Sequence, residues 1–277
     1  MNRKGITLIE LLIALAISAI LIAGIYRTFI TQQRSYMVQD QVVEMQQNVR
    51  VAINKMMREI RMVNFGQVAY YDEGTGNFTS RILPVNGFAD VLTTNADNIT
   101  IVGGFRQVRT AAGNPITVTA SAGNQITLSN ATDEFNGAAN GYLSIGGEES
   151  FIVQNQPVGT TAVLVLDRAP TNPAGQFVFR VQAVTYSVDG SLVLRRNENT
   201  GGGGQPLADN IESLQFRYFD ENGGIPATPN RTASIQVTVV ARTKEPDPTY
   251  TGGGGYRRRE ITSRIQLRNM GKSMGIP

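Results

Sequence analysis

Residues 1–29 read MNRKGITLIELLIALAISAILIAGIYRTF, and one side chain in this stretch, Glu10, decides how it is read. Between Ile6 and Tyr26 it is the single charged residue, and the run holds no proline. Twenty helical residues rise about 30 Å, the thickness of a bilayer's hydrocarbon core. Arg3 and Lys4 precede the run and Arg27 follows it. Basic residues are retained on the cytoplasmic side, so the expected topology is a single pass with the N-terminus inside and the remainder across the membrane. An ionised carboxylate is costly in lipid. The cost is smaller near a helix start at the interface, where the helix dipole also favours negative charge. Glu10 is therefore either an interfacial acid at a helix N-terminus or a group that pairs with a positive charge inside an assembly.

A cleaved secretory signal peptide is the competing reading of the run. The apolar stretch is longer than a usual signal core, and the helical pattern continues beyond it without a breaker as far as Pro84. Past Arg27, Val38, Val42, Met45, Val49, Ile53 (or Ala52), Met56, Ile60 and Val63 recur at steps of three and four. That spacing predicts an amphipathic helix with one apolar stripe, and the other faces carry glutamine, arginine and lysine. Asn64-Phe65-Gly66 is the expected stop, with Gly66 near the C-cap. A helix over 6–63 would be about 87 Å long. A free coiled coil fits the stripe less well, because the charges show no regular e/g pairing. Gly24 is the one weak point in the apolar half, so little or no kink is expected.

From Pro84 onward, short β-like runs alternate with glycine, asparagine and proline. They fall at 98–102, 116–120, 125–129, 150–154, 162–167, 177–188, 191–196, 211–219, 233–242 and 260–269. In 233–242, Ile235, Val237, Val239 and Ala241 share one face. In the last run Ile261, Ile265 and Leu267 lie opposite Arg264 and Arg268. Such alternation marks sheets covered on one side. Asp189-Gly190 reads as a two-residue hairpin turn. The apolar face switches near Gln182, which calls for a bulge or a break into two strands. TGGGG occurs at 200–204 and at 251–255, and both copies read as surface loops. A phosphate-binding loop would need a following lysine and helix start, which neither copy has.

The 277 residues contain no cysteine and no histidine. This removes disulfides, thiolate sites, histidine-based acid–base work and ordinary catalytic triads. It also removes a lipoprotein anchor. Charge is uneven: residues 1–63 carry eight basic and four acidic side chains, 64–160 three and eight, and 161–277 fourteen and ten. With the first residues removed by processing, the net charge would fall near neutrality, so the basic isoelectric point says little about nucleic acid. Asp220-Glu221-Asn222-Gly223 lacks the spacing of a calcium loop and reads as a polar turn. The pairs Asp72-Glu73, Asp133-Glu134 and Glu148-Glu149 read as solvated turns. Tyr256-Arg257-Arg258-Arg259 is the densest basic run, and a solvated loop leading into a strand is favoured over contact with DNA. No catalytic residue, metal site or cofactor is expected.

Arg3-Lys4-Gly5 followed by Ile6-Thr7-Leu8-Ile9-Glu10-Leu11 resembles the class III signal of type IV pilins and type II secretion pseudopilins. The resemblance implies that a membrane-embedded aspartyl peptidase cuts between Gly5 and Ile6 and methylates the new N-terminus at Ile6. Arg3 and Lys4 would supply the leader charge. Glu10 becomes the fifth mature residue, where the family's glutamate pairs with the terminal ammonium of a neighbouring subunit in the filament core. Ile6 stands where the family more often has phenylalanine. The order of strands from Val184 to Asn269, with LVLRR, QPLADNIESLQFRYFD, IQVTVVAR and a final LRN, resembles the PilW-type minor pilins and the related J-type pseudopilins. Residues 67–176 carry no such resemblance.

The implied fold is α+β and pilin-like: a long N-terminal helix, transmembrane in its first half, packed on an antiparallel β-rich C-terminal domain. The implied division is a leader over 1–5, a helix over 6–63 with 6–26 in the membrane, and a β-rich periplasmic or extracellular domain over 64–277. The implied function is that of a minor pilin in the priming or tip complex of a type IV pilus, and not an enzyme. Its partners would be the prepilin peptidase and methyltransferase, other minor pilins, the major pilin, the inner-membrane assembly platform, and lipid before assembly. Because Glu10 is present, the chain would pack onto a neighbour's N-terminus and would not be the outermost cap. It would reside in the bacterial inner membrane and then at the cell surface, with motility, adhesion and DNA uptake all open as roles. A J-type pseudopilin is the nearest alternative, and chain length favours the pilus. A membrane-anchored ligand-binding domain is the alternative of a different class.

Overall fold

The computed structural model describes residues 8–72 and 77–270. One uninterrupted helix, α1, runs from Leu8 to Arg61. The chain divides into two compact units. Among the described residues, one comprises those up to 47 with the loop 243–257, and the other those from 48 to 242 and from 258 to 270.

In the second unit the end of α1 buries the apolar stripe read from the sequence. Val49, Ala52, Ile53, Met56, Ile60 and Val63 are all buried, Met56 and Ile60 completely. Each large aliphatic side chain removed from water in this way contributes about 1.5–3 kcal/mol. The helix stops at Arg61, and Asn64, not Gly66, takes the first left-handed backbone position (φ 60°). Asparagine tolerates that region because its short side chain can satisfy nearby backbone groups. Here Asn64 Nδ2 donates to the carbonyls of Ala69 (2.8 Å) and Asn269 (3.0 Å), and its Oδ1 accepts from Ala69 N–H at 2.9 Å.

Fifteen strands follow among the described residues: β1 (Ala69–Asp72), β2 (Asn77–Ser80), β3 (Leu92–Thr94), β4 (Ile99–Gln107), β5 (Val118–Ala122), β6 (Gln125–Thr132), β7 (Tyr142–Ile145), β8 (Glu149–Ile152), β9 (Thr161–Val165), β10 (Val178–Val188), β11 (Leu194–Asn197), β12 (Gly204–Ala208), β13 (Ile211–Phe219), β14 (Ser234–Arg242) and β15 (Arg258–Gln266). Their pairings are antiparallel throughout. The largest sheet orders β12-β11-β10-β4-β3, with β7 paired to the first part of β10 and β8 paired to β7. Two three-stranded sheets order β13-β14-β15 and β5-β6-β9, and β1 and β2 form a hairpin. Side chains of β5, β6 and β9 share one core with those of β7, β8 and the start of β10, including Ile126, Leu143, Phe151, Leu164 and Val178. This is the α+β arrangement of a long helix packed on an antiparallel β-rich domain.

The helix end meets the largest sheet through a glycine pair. Asn64 N–H donates to Val102 O (2.8 Å) and Gly104 N–H to Phe65 O (2.9 Å). A Cβ on Gly103 would lie 2.7 Å from the Met62 carbonyl oxygen, so only glycine permits this approach. The same place holds the irregularity expected near Gln182. Arg180 faces Arg106 but Gln182 faces Gly103, so β4 carries an extra residue and β10 continues as one strand.

The turn at Asp189-Gly190 departs from the expectation. β10 and β11 are joined by residues 189–193, not by a two-residue hairpin. Asp189 Oδ1 accepts from Ser191 N–H (2.9 Å) and Val193 N–H (3.0 Å), and Leu192 adopts φ 61°. The aspartate organises a longer turn around its carboxylate and shifts the start of β11 to Leu194. β1, β2, β3, β7 and β12 had no counterpart in the sequence reading. They are short, and β7 and β12 are interrupted by serine or proline.

Candidate functional site: the exposed start of the long helix

Glu10 lies in the first turn of α1, on an exposed stretch that runs from Leu8 to Phe29. Leu8 is 78% exposed and Ile20 73%, and none of the apolar window is buried within the chain. A water-facing apolar surface of this length is costly, so it requires lipid or the helices of other subunits. Thr28 and Thr31 return their hydroxyls to the carbonyls of Gly24 (3.0 Å) and Arg27 (2.9 Å), which suits polar side chains leaving an apolar medium. Arg3, Lys4, Gly5 and Ile6 lie outside the described residues.

In the same unit the loop 243–257 is built around Asp247, which is 5% exposed. Its carboxylate accepts from Thr249 N–H (2.9 Å) and Thr249 Oγ1 (2.7 Å), and from Arg257 Nε (2.9 Å) and Nη2 (2.7 Å). These bonds, those of Thr249 first, hold the Asp247 pKa at about 2. Glu245 N–H donates to Gln41 Oε1 on α1 at 3.1 Å. The arginines of the run 256–259 are exposed and lead into β15, as expected, but two of them have acidic partners. Arg257 is committed to Asp247, and in the second unit Arg258 is paired with Glu212.

A polar cluster that the sequence reading missed fixes the end of α1 in the second unit. Tyr186 Oη donates to Glu59 Oε2 at 2.5 Å, and Arg196 Nε donates to both Glu59 oxygens at 2.9 and 3.1 Å. Arg196 Nη1 reaches Glu198 (2.6 Å), whose other oxygen accepts from Gln182 Nε2 (2.9 Å). Burial and then the Glu59 carboxylate push the Tyr186 phenol far above its ordinary value. Burial opposes the charge on Arg196, but the bonds to Glu59 and Glu198 outweigh it and raise the pKa. Glu198 is likewise penalised by burial, yet Arg196 and Gln182 hold its pKa below the ordinary value. Acid, phenol and guanidinium saturate one another, which suits a joint and not proton transfer. The available signal was Glu59 beside the apolar stripe together with charged residues inside the LVLRR strand.

Glu134, expected from the sequence in a solvated turn, is instead largely enclosed. It is 15% exposed and pairs with Arg106 and with Arg180 Nη1 (3.3 Å). Asp220 does form the expected polar turn, accepting from Asn222 N–H (2.9 Å) and Gly224 N–H (2.8 Å). Among the described residues, no group of three or more acidic side chains could hold a metal ion.

Residues 1–26 match the family model described as the prokaryotic N-terminal methylation motif. No curated protein and no solved structure is matched by the chain. The motif and the exposed apolar helix that it opens support a type IV pilin-like protein with a prepilin-type class III signal, anchored in a membrane.

Proposed function

We propose that this chain is a minor pilin of the PilW kind, acting in the priming or tip complex of a type IV pilus. The observation that supports the reading most is the conjunction at the N-terminus. A methylation motif over residues 1–26 leads directly into an apolar helix with Glu10 as its one acid before Arg27. In this reading the leader over 1–5 is cut between Gly5 and Ile6, Ile6 is methylated, and residues 64–277 lie outside the inner membrane. The Glu10 carboxylate then meets the terminal ammonium of an adjacent subunit. Opposite charges about 4 Å apart attract by about 4 kcal/mol at an effective dielectric of 20, enough to set the axial register of one helix on the next.

Glu10→Ala tests the pairing. Leader cleavage is expected to proceed normally, because the scissile bond lies outside the changed residue. Incorporation into sheared pili, read by quantitative immunoblot against the membrane fraction, is expected to fall about tenfold or more. Unchanged incorporation contradicts the assembly role of Glu10.

A further inference from the structure

Arg61, Arg264 and Arg268 line one cleft of 690 Å³ in the second unit, together with Ser234 and Gln266. Arg61 comes from the last turn of α1, and Gln266 ends β15 opposite Ser234 of β14. Arg264 and Arg268 flank Gln266 at alternate positions on the same length of chain. Arg264 is held in place, because its Nε donates to Ser234 Oγ at 3.0 Å and its guanidinium carbon sits 4.3 Å from the centroid of the Phe219 ring. A guanidinium stacked on a ring and tied through one N–H loses little further freedom when its remaining donors engage a ligand.

Among the described residues, no carboxylate lines this cleft. By contrast, the arginines at 81, 106, 168, 180, 195, 196, 257 and 258 each lie within 4 Å of an aspartate or glutamate oxygen. Three like charges around one cleft repel, and an anion between them relieves the repulsion. The planar fork of a guanidinium matches a phosphate oxyanion through two parallel N–H bonds, and the Gln266 amide adds a neutral donor. We infer that this cleft binds a phosphate group, either free or carried on a phosphodiester headgroup. The site stands on the second unit alone and does not depend on the minor-pilin reading.

The test uses the full chain in dodecyl maltoside, which contains no phosphorus. Inorganic phosphate and, separately, glycerophosphoglycerol are followed by ³¹P NMR. A saturable response is expected, and Arg61→Gln with Arg268→Gln weakens it about tenfold or more. Arg259→Gln removes one charge from the same strand outside the cleft and leaves binding unchanged. Thermal unfolding of each variant accompanies the titration, and Arg268→Gln alone replaces the double variant if that variant unfolds. Binding of phosphate alone assigns the free anion, and binding of glycerophosphoglycerol as well assigns the headgroup. A non-saturable response overturns the site. So does equal binding by the cleft variants, or a loss matched by Arg259→Gln.

Discussion

Glu59 and Asp247 show how this chain keeps carboxylates out of water. Glu59 receives a phenol and a guanidinium from β10 and β11, and Asp247 receives a threonine and an arginine from its own loop. Removing one member of a buried pair leaves the other unsatisfied, which costs about 3 kcal/mol or more. Glu59→Ala is therefore expected to lower the urea midpoint of the full chain in micelles by an amount equivalent to about 3 kcal/mol. Glu59→Gln, which still accepts from Tyr186, is expected to cost less. An unchanged midpoint for both would remove the cluster as the joint between helix and sheet. For Asp247 the sign of the pH effect follows from its lowered pKa. The folded value of about 2 lies below the ordinary 3.8, so the ionised form stabilises the fold above about pH 4. That contribution is lost as pH falls from about 4 through about 2. The Asp247 carboxyl carbon is expected to titrate near 2, and Arg257→Gln moves the midpoint up towards the ordinary value. Titration near 4 in the unaltered chain would contradict the bonding around this carboxylate.

The elements differ in how much of their construction can be read from the chain. The stripe of α1 and the alternating faces of β14 and β15 were legible because burial on one side imposes a period on the residues themselves. Ile235, Val237, Val239 and Ala241 are all buried, as their spacing requires. β3, β7 and β12 were harder. Three to five residues carry too little period, and a serine or a proline breaks the apolar pattern in β7 and β12. Asp189 misled for another reason. Asp-Gly is a two-residue hairpin signal only when the aspartate does not capture amides further along, and here it captures two. The joint between α1 and β4 rests on a glycine whose role depends wholly on what packs against it. Gly103→Ala is expected to cost about 1–3 kcal/mol through overpacking against the Met62 carbonyl. An alanine variant with unaltered thermal unfolding would show that the helix end has room to move.

Taken as one molecule, the protein has two kinds of surface. Residues 48–242 with 258–270 bury an extensive core and pair several of their charges internally, Glu59 with Arg196 among them. The first turns of α1 leave their apolar side chains uncovered, with a carboxylate among them. That start was legible in the sequence as a prepilin-type signal opening an apolar helix, in agreement with the motif matched over residues 1–26. The Glu59 cluster and the arginine cleft were not, because their members come together only from distant positions. The proposed function therefore rests on processing at Gly5-Ile6. Its most direct test is intact-mass and N-terminal peptide mass spectrometry of the protein recovered from pili or inner membrane. A mature chain beginning at Ile6 and carrying one methyl group on its amine is expected. A chain still beginning at Met1, or one cut beyond Ala16, would contradict it.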